Sequence, residues 1–189
     1  HANSQAPGLG GPATGPVPGC GAGPMSAVRP LEEPRLRALA TADLDSLAAI
    51  EDKAYRNLGW NRNIFEDCLN VGYTCWGADL HGKLSGYAIV SIAAGESHLL
   101  NLAVDPACQR RGLGRTLLDF ACREASRQGA ECMFLEVRPS NHVARGLYAK
   151  MRFSEFGRRR GYYPNGRDGE REDALVFCRR LCPVWRSRY

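Results

Sequence analysis

Residues 101–118 read NLAVDPACQRRGLGRTLL. The apolar run that ends at Val104 is stopped by Asp105-Pro106, because proline has no N–H for a strand ladder and restricts the residue before it. Gly112 and Gly114 follow, set among Arg110, Arg111 and Arg115. Leu113, Leu117, Phe120, Ala121 and Ala125 then recur at helical spacing, and Gln128-Gly129 closes the helix. A strand, a glycine-arginine loop and a helix in this order aim backbone N–H groups and the positive end of a helix dipole at whatever lies over the loop. From the loop alone two readings stand open, a phosphate cradle or a glycine-containing turn ahead of a surface helix.

Spacing separates the phosphate motifs. A P-loop needs G-x-x-x-x-G-K-[ST], which does not occur. A dinucleotide fingerprint needs a third glycine where Leu117 stands, and no acidic residue about 20 positions on closes a short strand.

Outward from the loop, CMFLEV (132–137) is a nearly continuous apolar strand, so strand, helix and strand make a parallel crossover. Upstream, RLRALA from Arg35 alternates as a short strand, and Thr41 is positioned to cap a helix carrying Leu44, Leu47, Ala48 and Ile50. A second short helix includes Ile64, Phe65, Cys68 and Leu69; strands over Tyr73 to Ala78 and Ser85 to Ile92 join through a turn at His81-Gly82. Downstream, Asn141 caps a last helix with Val143, Leu147 and Met151 on one face, before strands near Phe153 to Arg158 and Ala174 to Cys178. Hairpins on both sides of the crossover make the fold class mixed α/β.

The chain of 189 residues is 44% hydrophobic and 24% charged, the balance of an ordinary globular domain. No apolar run of about 18 residues and no basic-then-apolar start occurs, so the expected location is cytoplasmic, with no membrane partner. Residues 1–24 hold seven Gly and five Pro with no Asp, Glu, Lys or Arg, which predicts a flexible tail. Met25 is the expected native start, with one domain over 25–182 and a short tail over 183–189. The eight cysteines are scattered without a C-x-x-C pair, as small buried hydrophobes in a reducing compartment. His81, His98 and His142 lack the spacing of metal ligands or a triad, so no metal is expected. The net charge of +5 suits an anionic ligand or a ribonucleoprotein partner. Arg158-Arg159-Arg160 and Arg179-Arg180 read as solvated faces rather than a nucleic-acid groove.

NLAVDPACQRRGLGRTLL, LEVRPSNHVARGLYAKMRF, RRGYYP and REDALVF, in that order, resemble the GCN5-related N-acetyltransferases (GNAT), whose pyrophosphate loop has the form [QR]-x-x-G-x-[GA], here Gln109 to Gly114. The resemblance covers roughly 35–181 and is strongest to the RimI-type branch, which acetylates the N-terminal alanine of a small-subunit ribosomal protein. It implies a GNAT fold: a mixed, mostly antiparallel sheet with a central parallel strand pair that splays apart and helices on both faces. It also implies acetyl-CoA as co-substrate. Leu102, Ala103 and Val104 would then offer backbone groups to the pantetheine arm, an N–H near Leu102 would polarise the thioester, Arg110, Arg111, Gly112, Leu113, Gly114 and Arg115 would bind pyrophosphate, and Asn141 would contact the coenzyme further along.

The same resemblance implies Glu136 as general base and Tyr148 as proton donor to the departing thiolate. Residue by residue, alternatives exist: Glu136, in an apolar strand where partial desolvation would ready it to take a proton, could be a strand-end glutamate paired with an arginine, and Tyr148 a half-buried helix aromatic. Tyr162 and Tyr163 match a segment that shapes the acceptor groove, and Trp60 sits in another loop facing it. A protein α-amine suits a single carboxylate, since about 14% of it is neutral at pH 7 against about 0.04% of a lysine. Cys108 beside the loop matches no family residue, so direct transfer through a ternary complex is expected rather than an acyl-cysteine. NLGWN (57–61) departs from an aromatic-Pro-Trp-Ser segment, and Arg152 replaces a glycine before Phe153. The resemblance sets no oligomeric state. Small-amine or lysine acetylation on the same fold, or a CoA-binding module without turnover, are the rival readings.

Overall fold

Alternating apolar residues dominate one stretch of this chain after another, and they close into a single sheet. The computed structural model describes residues 33–164 and 171–181; the expectations for the 1–24 tail, Met25 and 183–189 fall outside them. The strands are β1 (Arg35–Ala38), β2 (Thr74–Leu80), β3 (Lys83–Ala93), β4 (Glu96–Val104), β5 (Cys132–Val137), β6 (Ser154–Pro164) and β7 (Arg171–Arg180), ordered β1-β2-β3-β4-β5-β7-β6. Every neighbouring pair is antiparallel except β4 and β5. The helices are α1 (Leu44–Tyr55), α2 (Arg62–Val71), α3 (Leu113–Arg127) and α4 (His142–Lys150).

One face of the sheet packs on α3 and α4, through Leu117, Leu118, Ala121 and Tyr148 against Leu99, Met133, Leu135 and Phe177. The other packs on α1 and α2, through Leu44, Leu47, Ile50 and Phe65 against Tyr87, Ile89 and Ala103. Helices on both faces and a central parallel pair are the architecture expected for the family.

Two local expectations are corrected. Thr41 is not a cap: Thr41–Asp43 is a 3-10 turn, and the Asp43 carboxylate accepts the Ala40 N–H at 2.9 Å while gripping Arg37 at 2.8 and 2.9 Å. Hydrogen bonding from Arg37 therefore holds Asp43 below the usual carboxylate range despite its partial burial. Val143 is 85% exposed, because the buried stripe of α4 runs Ala144, Leu147, Tyr148, Met151, at i, i+3, i+4, i+7.

The feature that shapes the site lies in β4. Ile89 pairs with Asn101 but Val90 with Leu99, so Leu100 is an extra residue, a bulge against β3. The bulge exchanges the faces: Leu99 belongs to the α3/α4 core, Ala103 to the α1/α2 core, and Leu102 and Val104 again to the first. Pairing of β4 with β5 runs only from Glu96↔Cys132 to Leu99↔Leu135. Beyond Leu99 and Leu135 the two parallel strands part.

Candidate active site

Strand carbonyls and amides alternate in direction, and the contacts of β4 fix which ones face the opening. Leu102 O accepts the Tyr55 hydroxyl at 2.8 Å, Val104 O accepts the Gln109 amide at 3.1 Å, and Asp105 N–H is bonded to Ser85 O of β3 at 2.8 Å. Leu102 and Val104 therefore turn their main chain away from β3, with their N–H groups toward the opening. Ala103 turns its own toward β3 and is buried, so its main chain is not offered there.

At the head of α3 the chain bends through two left-handed residues, Arg110 (φ 61°) and Gly112 (φ 84°). Gly112 is the helix N-cap, and having no side chain it leaves the N–H groups of Leu113, Gly114 and Arg115 without a cap; no acidic residue sits in the first turn. Asn61 and Asn141, by contrast, cap α2 and α4 with hydrogen bonds of 3.1 Å. The Leu113 side chain is core, so only its N–H addresses the loop. Gly114 is helical, and a Cβ there would meet Leu147 and Val104 at ordinary distances of 3.6 and 3.7 Å. That places the first turn of α3 against both β4 and the helix that carries Tyr148. Arg110, Arg111 and Arg115 are exposed and make no ion pair with the described residues.

Where β4 and β5 part, a cleft of about 360 Å³ opens. Its lining includes Leu102 from β4, Glu136 and Arg138 at the end of β5, Asn141 and Tyr148 from α4, Trp60, and Tyr163 from β6. The Tyr148 ring is buried against Phe153 and Phe177, at centroid distances of 5.9 and 6.4 Å, and burial raises its hydroxyl well above the ordinary tyrosine range. It stays a proton donor at any working pH. Asn141 spends its side-chain oxygen on the Ala144 N–H, leaving its amide toward the cleft.

Glu136 is not isolated in apolar surroundings: its Oε1 lies 2.9 Å from Arg159 Nε. Tyr162 is hydrogen-bonded to the same carboxylate, which, ahead of burial and the carboxylate charge, raises the phenol. Tyr162 meets the site through this contact at the rim rather than by lining the cleft. Tyr163 lies under Arg138, whose guanidinium carbon is 4.3 Å from the ring centre, and burial pushes its hydroxyl up to about 12. Arg138 is itself held by Glu172 at 3.3 Å and Pro164 O at 3.1 Å. Burial of Glu172 is outweighed by hydrogen bonds from Ser140 and Arg138, leaving it below the carboxylate range.

Sequence reasoning missed the wall of the cleft on the α1 side. Glu51 is 2% exposed and its Oε1 accepts the Trp60 N–H at 2.8 Å and the Asn101 side-chain amide at 3.0 Å; its Oε2 takes the Tyr87 hydroxyl. One carboxylate thus fastens the loop before α2 to α1, β3 and β4. Signals existed: Glu51 interrupts the apolar face Leu47, Ile50, Ala54, and Asn101 is the lone polar residue in LLNLAV. Tyr55, whose hydroxyl holds Leu102 O, carried none beyond its place at a helix end.

The model of the acetyltransferase (GNAT) family matches residues 36–153. A ribosomal protein bS18-alanine N-acetyltransferase of Escherichia coli K12 is 38% identical over 142 residues, 75% of this chain and 94% of its own. One from Haemophilus influenzae is 31% identical over 139 residues, 74% of this chain and 93% of its own. The crystal structure of the ribosomal-protein-S18-alanine N-acetyltransferase from Escherichia coli superposes with a TM-score of 0.73 at 33% identity, covering 82% of this chain and 99% of that one. A Salmonella typhimurium protein solved with its cofactor acetyl-CoA shares the fold, with a TM-score of 0.65 at 20% identity over 79% of this chain and 94% of its own. A family model that spans more than half of the sequence, and relatives that run nearly their whole length along it, make this chain a member of the GNAT acetyltransferase family.

Proposed function

We propose that this chain transfers acetyl from acetyl-CoA to the α-amine of a protein N-terminus, and that the acceptor is the N-terminal alanine of ribosomal protein bS18, the substrate in the names of its relatives. The observation that carries this reading is a single cleft, at the parting of the parallel pair, that gathers a carboxylate, a buried phenol and an outward strand amide. The residues fit the coenzyme. The uncapped amides of Leu113, Gly114 and Arg115, with Arg110 and Arg111 beside them, suit a pyrophosphate, and the opening beyond Leu99 and Leu135 leaves room for a narrow chain between the strands.

Acetyl-CoA supplies an activated acyl thioester when bound. Leu102 N–H is aimed to hold the carbonyl oxygen as charge develops on it. Glu136 takes the proton of the α-ammonium, directly or through water, and Tyr148 protonates the sulfur that leaves. Asn141 orients the coenzyme arm; Trp60 and Tyr163 face the acceptor across the cleft, and Tyr162 borders it. Among the described residues no helix is long and apolar enough to cross a membrane, and no group of three metal-ligating side chains occurs. We place the reaction in the cytoplasm, where ribosomal proteins are made.

The test is mass spectrometry of peptides that differ only in their first residue, presented beside N-terminally blocked lysine peptides and polyamines. Alanine-starting peptides should be acetylated once, at the α-amine. Acetylation confined to lysine side chains or polyamines would overturn the reading.

A further inference from the structure

The carboxylate that the proposed function uses as a proton acceptor is occupied. Glu136 Oε1 is 2.9 Å from Arg159 Nε, and the Tyr162 hydroxyl engages the same group. Among the described residues, the arginines on either side are engaged elsewhere. Arg138 is committed to Glu172 and Pro164 O, and Arg158 faces Asp173 at 3.5 Å and Glu155 at 4.0 Å. A bulge in β6 builds the arrangement: Arg159 pairs with Ala174 and Tyr163 with Glu172, so four steps along β6 match two along β7. Gly161, at φ 56°, makes the turn, with its N–H on Asp173 at 2.9 Å.

A carboxylate paired with a guanidinium is a weaker proton acceptor than a free one, and an incoming ammonium competes with that guanidinium for the same charge. The two partners of the ion pair differ in freedom. Glu136 sits in the β5–β7 ladder opposite Val176 with a side chain 25% exposed, while that of Arg159 is 60% exposed, with its guanidinium carbon 5.5 Å from the Tyr162 ring centre. We propose that Arg159 is a displaceable counter-ion, which holds the acceptor's ammonium position at Glu136 in the free protein and swings to solvent when the N-terminal amine enters. The inference rests on the reading of Glu136 as the acceptor's base. Exchanging one cation for another never leaves the carboxylate bare in a half-closed cleft, where an unpaired charge is costly. Arg159 is in this sense a positioning residue and an internal competitor of the acceptor. It contributes no atom to the reaction.

The experiment compares wild type with Arg159→Met, which keeps a chain of similar length over Tyr162, and with Arg159→Lys. With an alanine-starting peptide at saturating acetyl-CoA, Arg159→Met should lower the peptide KM about two- to fivefold, the range of a partly exposed ion pair, with the change carried by KM rather than kcat. Arg159→Lys should return KM toward wild type. A merely structural Arg159 would give the reverse, a higher KM in the folded Met variant, and an unchanged KM would equally overturn the proposal. A second reading does not need turnover. In the protein saturated with CoA, the NMR signal of Arg159 Nε–H should shift toward that of a free guanidinium as the peptide is added. If wild type fails to acetylate the peptide, the proposed function falls, and this titration still decides whether an amine displaces Arg159. A signal that stays fixed at saturating peptide rejects the displacement.

Discussion

Replacing Arg152 by glycine should stabilise the domain by about 0.5–1 kcal/mol. Three helices end in the same hydrogen-bond pattern, in which two successive N–H groups reach back to the last turn: Gly72 to Leu69 O with Tyr73 to Cys68 O after α2, Gly129 to Ser126 O with Ala130 to Ala125 O after α3, and Arg152 to Ala149 O with Phe153 to Tyr148 O after α4. The pattern needs a left-handed residue, and its φ is 82°, 92° and 63° in the three cases. Two are glycine and the third is Arg152, whose Cβ crowds the backbone at a cost of about 1–2 kcal/mol. Glycine regains this but loses about 0.4–1 kcal/mol through a more flexible unfolded chain; the midpoints, about 1.5 against about 0.7 kcal/mol, leave the net figure. The Arg152 side chain is exposed and makes no ion pair with the described residues, so nothing else is removed. At about 2–4 °C per kcal/mol for a domain of this size, the melting temperature should rise by about 1–4 °C in a circular dichroism melt. Arg152→Ala shares the strain without the charge and is the control. If the glycine variant melts no higher than the alanine variant, the backbone argument is wrong.

Tyr148→Phe keeps the ring on Phe153 and Phe177 and removes only the hydroxyl, so kcat should fall by about 10²-fold or more while CoA affinity by calorimetry holds; turnover within twofold of wild type would remove Tyr148 from the mechanism. Glu51→Gln offers an amide where three donors expect a carboxylate, and should cost about 1–3 kcal/mol in urea unfolding and raise the acceptor KM through Trp60; an unchanged urea midpoint contradicts this. Burial raises the hydroxyls of Tyr55, Tyr87 and Tyr148, so the folded state holds these protons more tightly than the unfolded one; the stability they contribute is full below about pH 10 and lost as pH climbs through the folded values. Asp43 and Asp105 are lowered, by Arg37 and Lys53 respectively, so their contribution is present above about pH 4 and lost on acidification; a urea midpoint flat from pH 3 to 11 would refute both limbs.

Much of this was legible before any coordinates. The Asp105-Pro106 stop, the glycine-arginine loop and the 3.6 period of α3 each have a local cause, and together they fix the crossover at the centre of the sheet. What stayed hidden depends on contacts distant in sequence. The LLNLAV run looks continuous, and only its pairing to β3 reveals Leu100 as surplus. The Glu136–Arg159 pair was one of two readings of a strand-end acid, and the β6 bulge that brings Arg159 to it leaves no mark in the sequence. Thr41 misled because Asp43 answers to Arg37, and Val143 because three apolar residues spaced by four drift around a helix. Glu51 could have been read, since a carboxylate on the buried face of α1 must find donors elsewhere.

Leu100 carries a consequence for how this chain can vary. A strand assigns its residues to two sides by odd and even position, and the surplus residue resets that count between Leu99 and Asn101. Substitutions along 99–104 alter size or polarity at one place, whereas loss or gain of one residue would exchange the two sides for all that follow and turn the Leu102 amide into the sheet. Across this segment identity is free to change, but length is fixed by arithmetic.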